Sequence, residues 1–85
     1  MYNYQNEKSK IFTEDGQETF LEIRDKVQQL LKQSGAVMMQ NIINGITGNT
    51  WLHLAFVDRL VELRTIREIT KDNVAGQYRV FVAVS

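Results

Sequence analysis

The chain has 85 residues, with ten Lys and Arg balancing ten Asp and Glu, one His, no Cys and no Pro. That length suffices for one small domain, and a composition 44% hydrophobic and 24% charged argues against wholesale disorder. Without cysteine there is no disulfide framework, no thiolate nucleophile and no Cys-based zinc site, so packing or dimerisation must hold the core.

Residues 1–10 are polar, carry Glu7, Lys8 and Lys10, and show no apolar period. They predict a flexible N-terminal arm ahead of a domain over residues 11–85. The absence of an apolar signal core predicts no export signal and a cytoplasmic location.

Thr13-Glu14-Asp15-Gly16 is a helix-entry signal, with Thr13 or Asp15 as N-cap and Asp15/Glu18 spaced as a capping box. Phe20, Ile23, Val27, Leu30 and Leu31 then recur at steps of three and four, which predicts one apolar helical face. Acids gather early and Lys32 comes late, the order the helix dipole favours. Ser34-Gly35 ends the helix, with Gly35 a left-handed cap.

Ala36-Val37-Met38 reads as an extended link or very short strand, and Met39 to Ile46 as a two-turn helix. After a turn at Thr47-Gly48-Asn49-Thr50, a third helix is expected from about Trp51 to Leu63 or Arg64, capped by Asn49 or Thr50. The uncharged run from Ala36 to Val57 is interrupted by Gln40, Asn41, Asn44, Asn49, His53 and two glycines, so no membrane span is expected.

The period then changes to two. Ile66 to Ile69 predicts a strand, Thr70 to Gln77 a polar loop, and Tyr78, Val80, Val82 and Val84 a second strand. Together they make a hairpin.

Long helix, extended link, short helix, turn, longer helix and hairpin follow in order. In this the chain resembles the winged helix-turn-helix superfamily over roughly residues 13 to 84. Ser34-Gly35-Ala36-Val37, Ile42 and Ile46, and Val57-Asp58-Arg59-Leu60-Val61-Glu62-Leu63 running into Thr65-Ile66-Arg67-Glu68-Ile69 carry the likeness. It is similar to small winged-helix proteins of bacteria and their phages. The resemblance implies an α+β fold, a three-helix bundle followed by a C-terminal two-stranded β-hairpin wing. Many such regulators carry Gly where this chain has Arg64, a departure that matters if the position needs a positive φ.

The resemblance further implies DNA binding in a regulatory role, with the third helix in the major groove and the wing on the backbone. The expected nucleic-acid contacts are Asn49, Thr50, Arg59, Arg67, Lys71 and Arg79. Phosphate contact favours cations. From Arg59 onward five basic residues face three acids, whereas residues 11–35 carry three basic against five acidic. Amides and hydroxyls around Asn49 can contact phosphates or adenine edges, and the same residue types cap helices and form turns everywhere.

The competing expectation is a protein-interaction module. At 100° per residue the outward stripe of the third helix is Trp51, Ala55, Asp58 and Glu62, with Arg59 at its margin. Two carboxylates suit a DNA groove poorly. Trp51, Leu54 and Ala55 are instead expected to form an exposed apolar patch for a partner. The resemblance also implies homodimerisation, through Phe20-Leu21 or through Tyr78 to Val84, where the last strand would be a pairing edge.

An enzyme is not expected. His53 is the one imidazole and lies on the inward side of its helix among Leu52, Leu54 and Phe56. One His without Cys builds no His-rich metal site, and Gly45-Ile46-Thr47-Gly48 lacks the Lys and spacing of a P-loop. No cofactor or metal is expected.

Overall fold

The computed structural model of the chain describes residues 1–71 and 74–84; Asp72 and Asn73 of the expected polar loop and Ser85 lie outside it. The long helix forms where the apolar period predicts, as α2 over Glu14–Ser34. Thr13 is its N-cap, its hydroxyl accepting from the Gly16 amide at 2.9 Å. Gly35 closes it in the left-handed region at φ 76°, where a Cβ would be strained, and its N–H donates to Leu31 O. Ile23 and Val27 are fully buried at the centre of the apolar face.

The link Ala36–Met38 is a strand, β1. The short helix that follows, α3, covers Met39–Ile43 and so ends a turn earlier than the expected Ile46. Gly45 lies at φ 82°, outside any right-handed helix, and the Ile46 amide turns back to Ile43 O at 3.0 Å. The last helix, α4, runs Thr50–Glu62, with Asn49 as N-cap accepting from the Trp51 amide.

Helix α4 ends in a two-bond closure. Thr65 N donates to Leu60 O and Arg64 N to Val61 O, both at 3.0 Å, which is the Schellman arrangement. Its left-handed position, usually glycine, is Arg64 at φ 60°. The helix end keeps the geometry that glycine favours although the residue there is a bulky arginine.

Strand β2 is Ile66–Glu68 and strand β3 is Val80–Ala83. They pair antiparallel as the hairpin reading expects, with Ile66 opposite Ala83 and Glu68 opposite Phe81. The link strand β1 pairs on the other side of β3, Val37 opposite Phe81, giving an antiparallel three-stranded sheet in the order β1-β3-β2. The expected pairing edge at Tyr78 to Val84 is therefore corrected: β3 is the central strand, its backbone bonded on both sides. Phe81 sits at the crossing point of the two registers and is fully buried. Tyr78 belongs instead to a single 3-10 turn, Gly76–Tyr78.

A second correction concerns residues 1–10, which are not a free arm. Tyr4–Glu7 forms a short helix, α1, capped by the Asn3 side chain, and Lys8–Ile11 continues as a 3-10 turn. Ile11 is buried in the core at 1% exposure. Gly16 lets this segment approach: a Cβ there would lie 2.4 Å from Ile11 O. The Gln17 side-chain amide donates to the same carbonyl at 3.2 Å. Four α-helices and a three-stranded antiparallel sheet thus make up the described residues, an α+β architecture. None of these helices is long and apolar enough to cross a membrane.

Candidate functional site

Helix α4 is nearly enclosed. Its inward residues Phe56, Val57 and Leu60 meet the core, and Ala55, on the opposite stripe, is also fully buried. Residues 2–11 lie across that stripe as a strap. The Tyr2 hydroxyl donates to Asp58 Oδ2 at 2.5 Å and the Tyr4 hydroxyl to Glu62 Oε1 at 3.0 Å. Lys8 Nζ reaches Glu62 Oε2 at 2.7 Å and also lies 5.8 Å from the Tyr4 ring centre.

Arg59 bonds the same Glu62 at 2.5 Å and stacks 5.2 Å from the centre of Phe12. The Glu62 carboxylate, bonded by Lys8, then Arg59 and Tyr4, is held down to about 2. Burial, reinforced by the bond to Glu62, pushes Tyr4 up to about 12. Burial and the bond to Asp58 likewise raise Tyr2.

A second cluster joins α4 to the sheet. Arg79 forks onto Glu68 through Nε at 3.0 Å and Nη2 at 2.8 Å, while Nη2 also meets Asp58 Oδ1 at 2.7 Å. Its guanidinium lies 5.2 Å from the centre of the Phe81 ring. Burial opposes the Arg79 charge, but the bonds to Glu68 and Asp58 outweigh it and raise its proton affinity. The Arg79 bond in turn lowers Glu68.

The residues expected to contact nucleic acid separate into two sets. Arg59 and Arg79 are committed to carboxylates within the chain. Asn49, Thr50, Arg67 and Lys71 are exposed, and among the described residues Arg67 and Lys71 form no ion pair. Asn49 spends its side-chain oxygen on the Trp51 amide at 2.8 Å.

The expected apolar patch is corrected. Trp51 is 43% exposed, but Leu54 is 9% and Ala55 0% exposed. The turn at Gly76 folds back onto Leu54, whose methyl carbons would lie 3.7 to 3.8 Å from a Cβ at that position, and Ala55 lies on the stripe that the strap crosses. Only Trp51, at the start of α4, keeps the surface expected of all three.

His53 is inward, as its helical position predicts, 4% exposed and hydrogen-bonded through Nε2 to Thr47 O at 3.0 Å. It lines a small cleft with Leu52, Phe56 and the start of α2. Among the described residues no group of three His, Cys, Asp or Glu is placed to hold a metal ion.

Sequence reading missed the strap residues Tyr2, Tyr4 and Lys8. One local signal was present: Asn3, a good N-cap, stands ahead of Glu7 in the first turn. Their partners lie more than fifty positions away, where no periodicity reaches. Comparison with protein-family models, with curated proteins and with solved structures gives no match.

Proposed function

We propose that the chain is a small winged-helix domain that works as a protein-interaction module through α4, without reading a DNA groove. Its element order, and a link strand that pairs with the hairpin, support the winged-helix assignment. The observation that carries the functional reading is the closure of the α4 stripe: Ala55 is fully buried, Asp58 and Glu62 are bonded by Tyr2, Tyr4 and Lys8, and the two acids would face phosphates if the stripe opened. Carboxylates accept from cytosine only where surrounding cations hold the duplex. The nearest cations, Arg59 and Arg79, are already paired. Trp51 is then the exposed aromatic anchor at the open end of the helix, the residue type most enriched where partners bind tightly.

A nucleic-acid reading keeps one supporting observation, the exposure of Asn49, Thr50, Arg67 and Lys71. The two readings part in a single titration of isotope-labelled protein with a generic DNA duplex, at low salt and at roughly 150 mM, since non-specific binding is electrostatic. The expected result is no shift at either salt. Salt-sensitive shifts at Asn49, Thr50, Arg67 and Lys71 would overturn the protein-docking reading in favour of a DNA-binding regulator.

A further inference from the structure

We propose that the α4 face bearing Asp58 and Glu62 is a docking site for a basic, tyrosine-bearing segment of a partner protein, and that residues 2–10 are its competing occupant within the same chain. The inference rests on the protein-docking reading above and specifies the chemistry of the partner.

The occupant shows what the face accepts. Each carboxylate takes one tyrosine hydroxyl, Asp58 from Tyr2 and Glu62 from Tyr4, and Glu62 also takes the Lys8 ammonium. Without the strap, the face holds three acids, Asp58, Glu62 and Glu68, against two bases, Arg59 and Arg79. Its net charge is then −1, and Lys8 brings it to zero. An uncovered face therefore calls for a cation, and a phosphate backbone would meet repulsion.

The strap is built to be displaced. The side chains of Lys8 and Glu62 are each 33% exposed, and exposed pairs of this kind contribute little. Tyr2 and Tyr4 pack half-buried on the core. Glu7 is 6% exposed and pairs with the exposed Lys10, so that opening returns its carboxylate to water. The fully buried apolar anchor is Ile11, at the far end of the segment. Residues 2–10 can thus open locally while Ile11 stays in the core, which places them at the low end of local stability. A partner segment with the same groups competes for the same face, and its apparent affinity scales with the fraction of molecules already open.

The test uses the full-length protein, isotope-labelled, and a synthetic peptide of residues 1–10 as the probe. The strap-weakened variant Tyr4→Phe/Lys8→Ala is expected to bind the peptide roughly tenfold more tightly than the unaltered chain, with shifts over Asp58 to Glu62. Adding Glu62→Gln is expected to cancel that gain, and a peptide carrying Lys8→Glu is expected not to bind. Equal affinity of the two proteins overturns the inference. So does absence of binding by a variant whose spectrum is folded and whose residues 2–8 exchange their amides freely. Binding of duplex DNA by that variant in place of the peptide also overturns it and assigns the face to nucleic acid. Shifts confined to Asn49 through Leu52 overturn it at this face, while the docking reading at Trp51 stands.

Discussion

Two clusters of charge meet α4, and they differ mainly in how far water reaches them. Around Arg79 the side chains are 17% exposed for the arginine, 15% for Asp58 and 30% for Glu68. Around Glu62 they are 33% for the acid, 33% for Lys8 and 27% for Arg59. The first cluster ties helix to sheet with a forked guanidinium, a planar donor that matches carboxylates better than an ammonium does. The second ties the strap to the helix through Tyr4 and Lys8, single contacts that solvent can replace, while Tyr2 adds one bond from the strap to Asp58 of the first. Similar residue types thus serve a permanent joint in one place and a releasable one in the other.

The sharpest way to break the contrast is to remove the permanent joint. Arg79→Ala would leave Asp58 and Glu68 half-buried without their cation, and should cost about 2 kcal/mol of unfolding free energy, measured by urea titration, below the range for fully buried pairs. Arg79→Lys should recover only part of that loss, because the fork is gone.

Next in size is the strap's steric seat. Gly16→Ala sets a methyl against Ile11 O, a contact of 2.4 Å at ideal geometry, and overpacking of this kind costs about 1–3 kcal/mol. The gain in helix propensity offsets a part of it. Amide exchange should show the loss concentrated in residues 4–11.

Lys8→Ala should be gentler. Global unfolding should stay within error while amide exchange in Tyr4–Glu7 quickens roughly two- to fivefold, as fits an exposed pair. The same joint has a pH window. Glu62 drops from an ordinary 4.5 to about 2, so its contribution is complete above pH 4.5 and fades as pH falls toward 2. Tyr4 rises from 10 to about 12, so its contribution is complete below pH 10 and fades as pH climbs toward 12. Strap amides followed by pH titration should release at both ends. Release beginning at neutral pH would remove Glu62 and Tyr4 as its anchors.

One further change is expected to be a small gain. Arg64 holds a left-handed conformation that costs a side-chain residue about 1–2 kcal/mol. Arg64→Gly removes that strain but loosens the unfolded chain by about 0.4–1 kcal/mol, for a net stabilisation near 0.5 kcal/mol in a denaturant midpoint.

What the sequence disclosed depended on the range over which its signals act. The bounds of α2 were legible because Thr13, the apolar period and Gly35 act within a few residues of each other. The hairpin was legible because its alternation is local. The early end of α3 was harder to read, since the three isoleucines promised another turn and Gly45 refused it. Leu54 and Ala55 misled because helical angle alone takes no account of what other segments lay on top. The turn at Gly76 covers Leu54, and Ala55 is buried on the stripe that the strap crosses. Of the proposed site, Asp58, Glu62 and Trp51 were placed correctly on the outward stripe, but nothing local could say that Tyr2 and Tyr4 would cover two of them.

The order β1-β3-β2 also sets a timetable. The hairpin partners β2 and β3 are close in sequence and can pair locally, whereas β1 must close a loop of more than forty residues to reach β3. Local helices can form early, while the sheet and the burial of Phe81 depend on contacts distant in sequence, which are the slow ones to close. Until β1 docks, the hairpin has one unpaired edge and Phe81 lacks its second neighbouring strand, so the apolar surface of that intermediate is the part most in need of shelter.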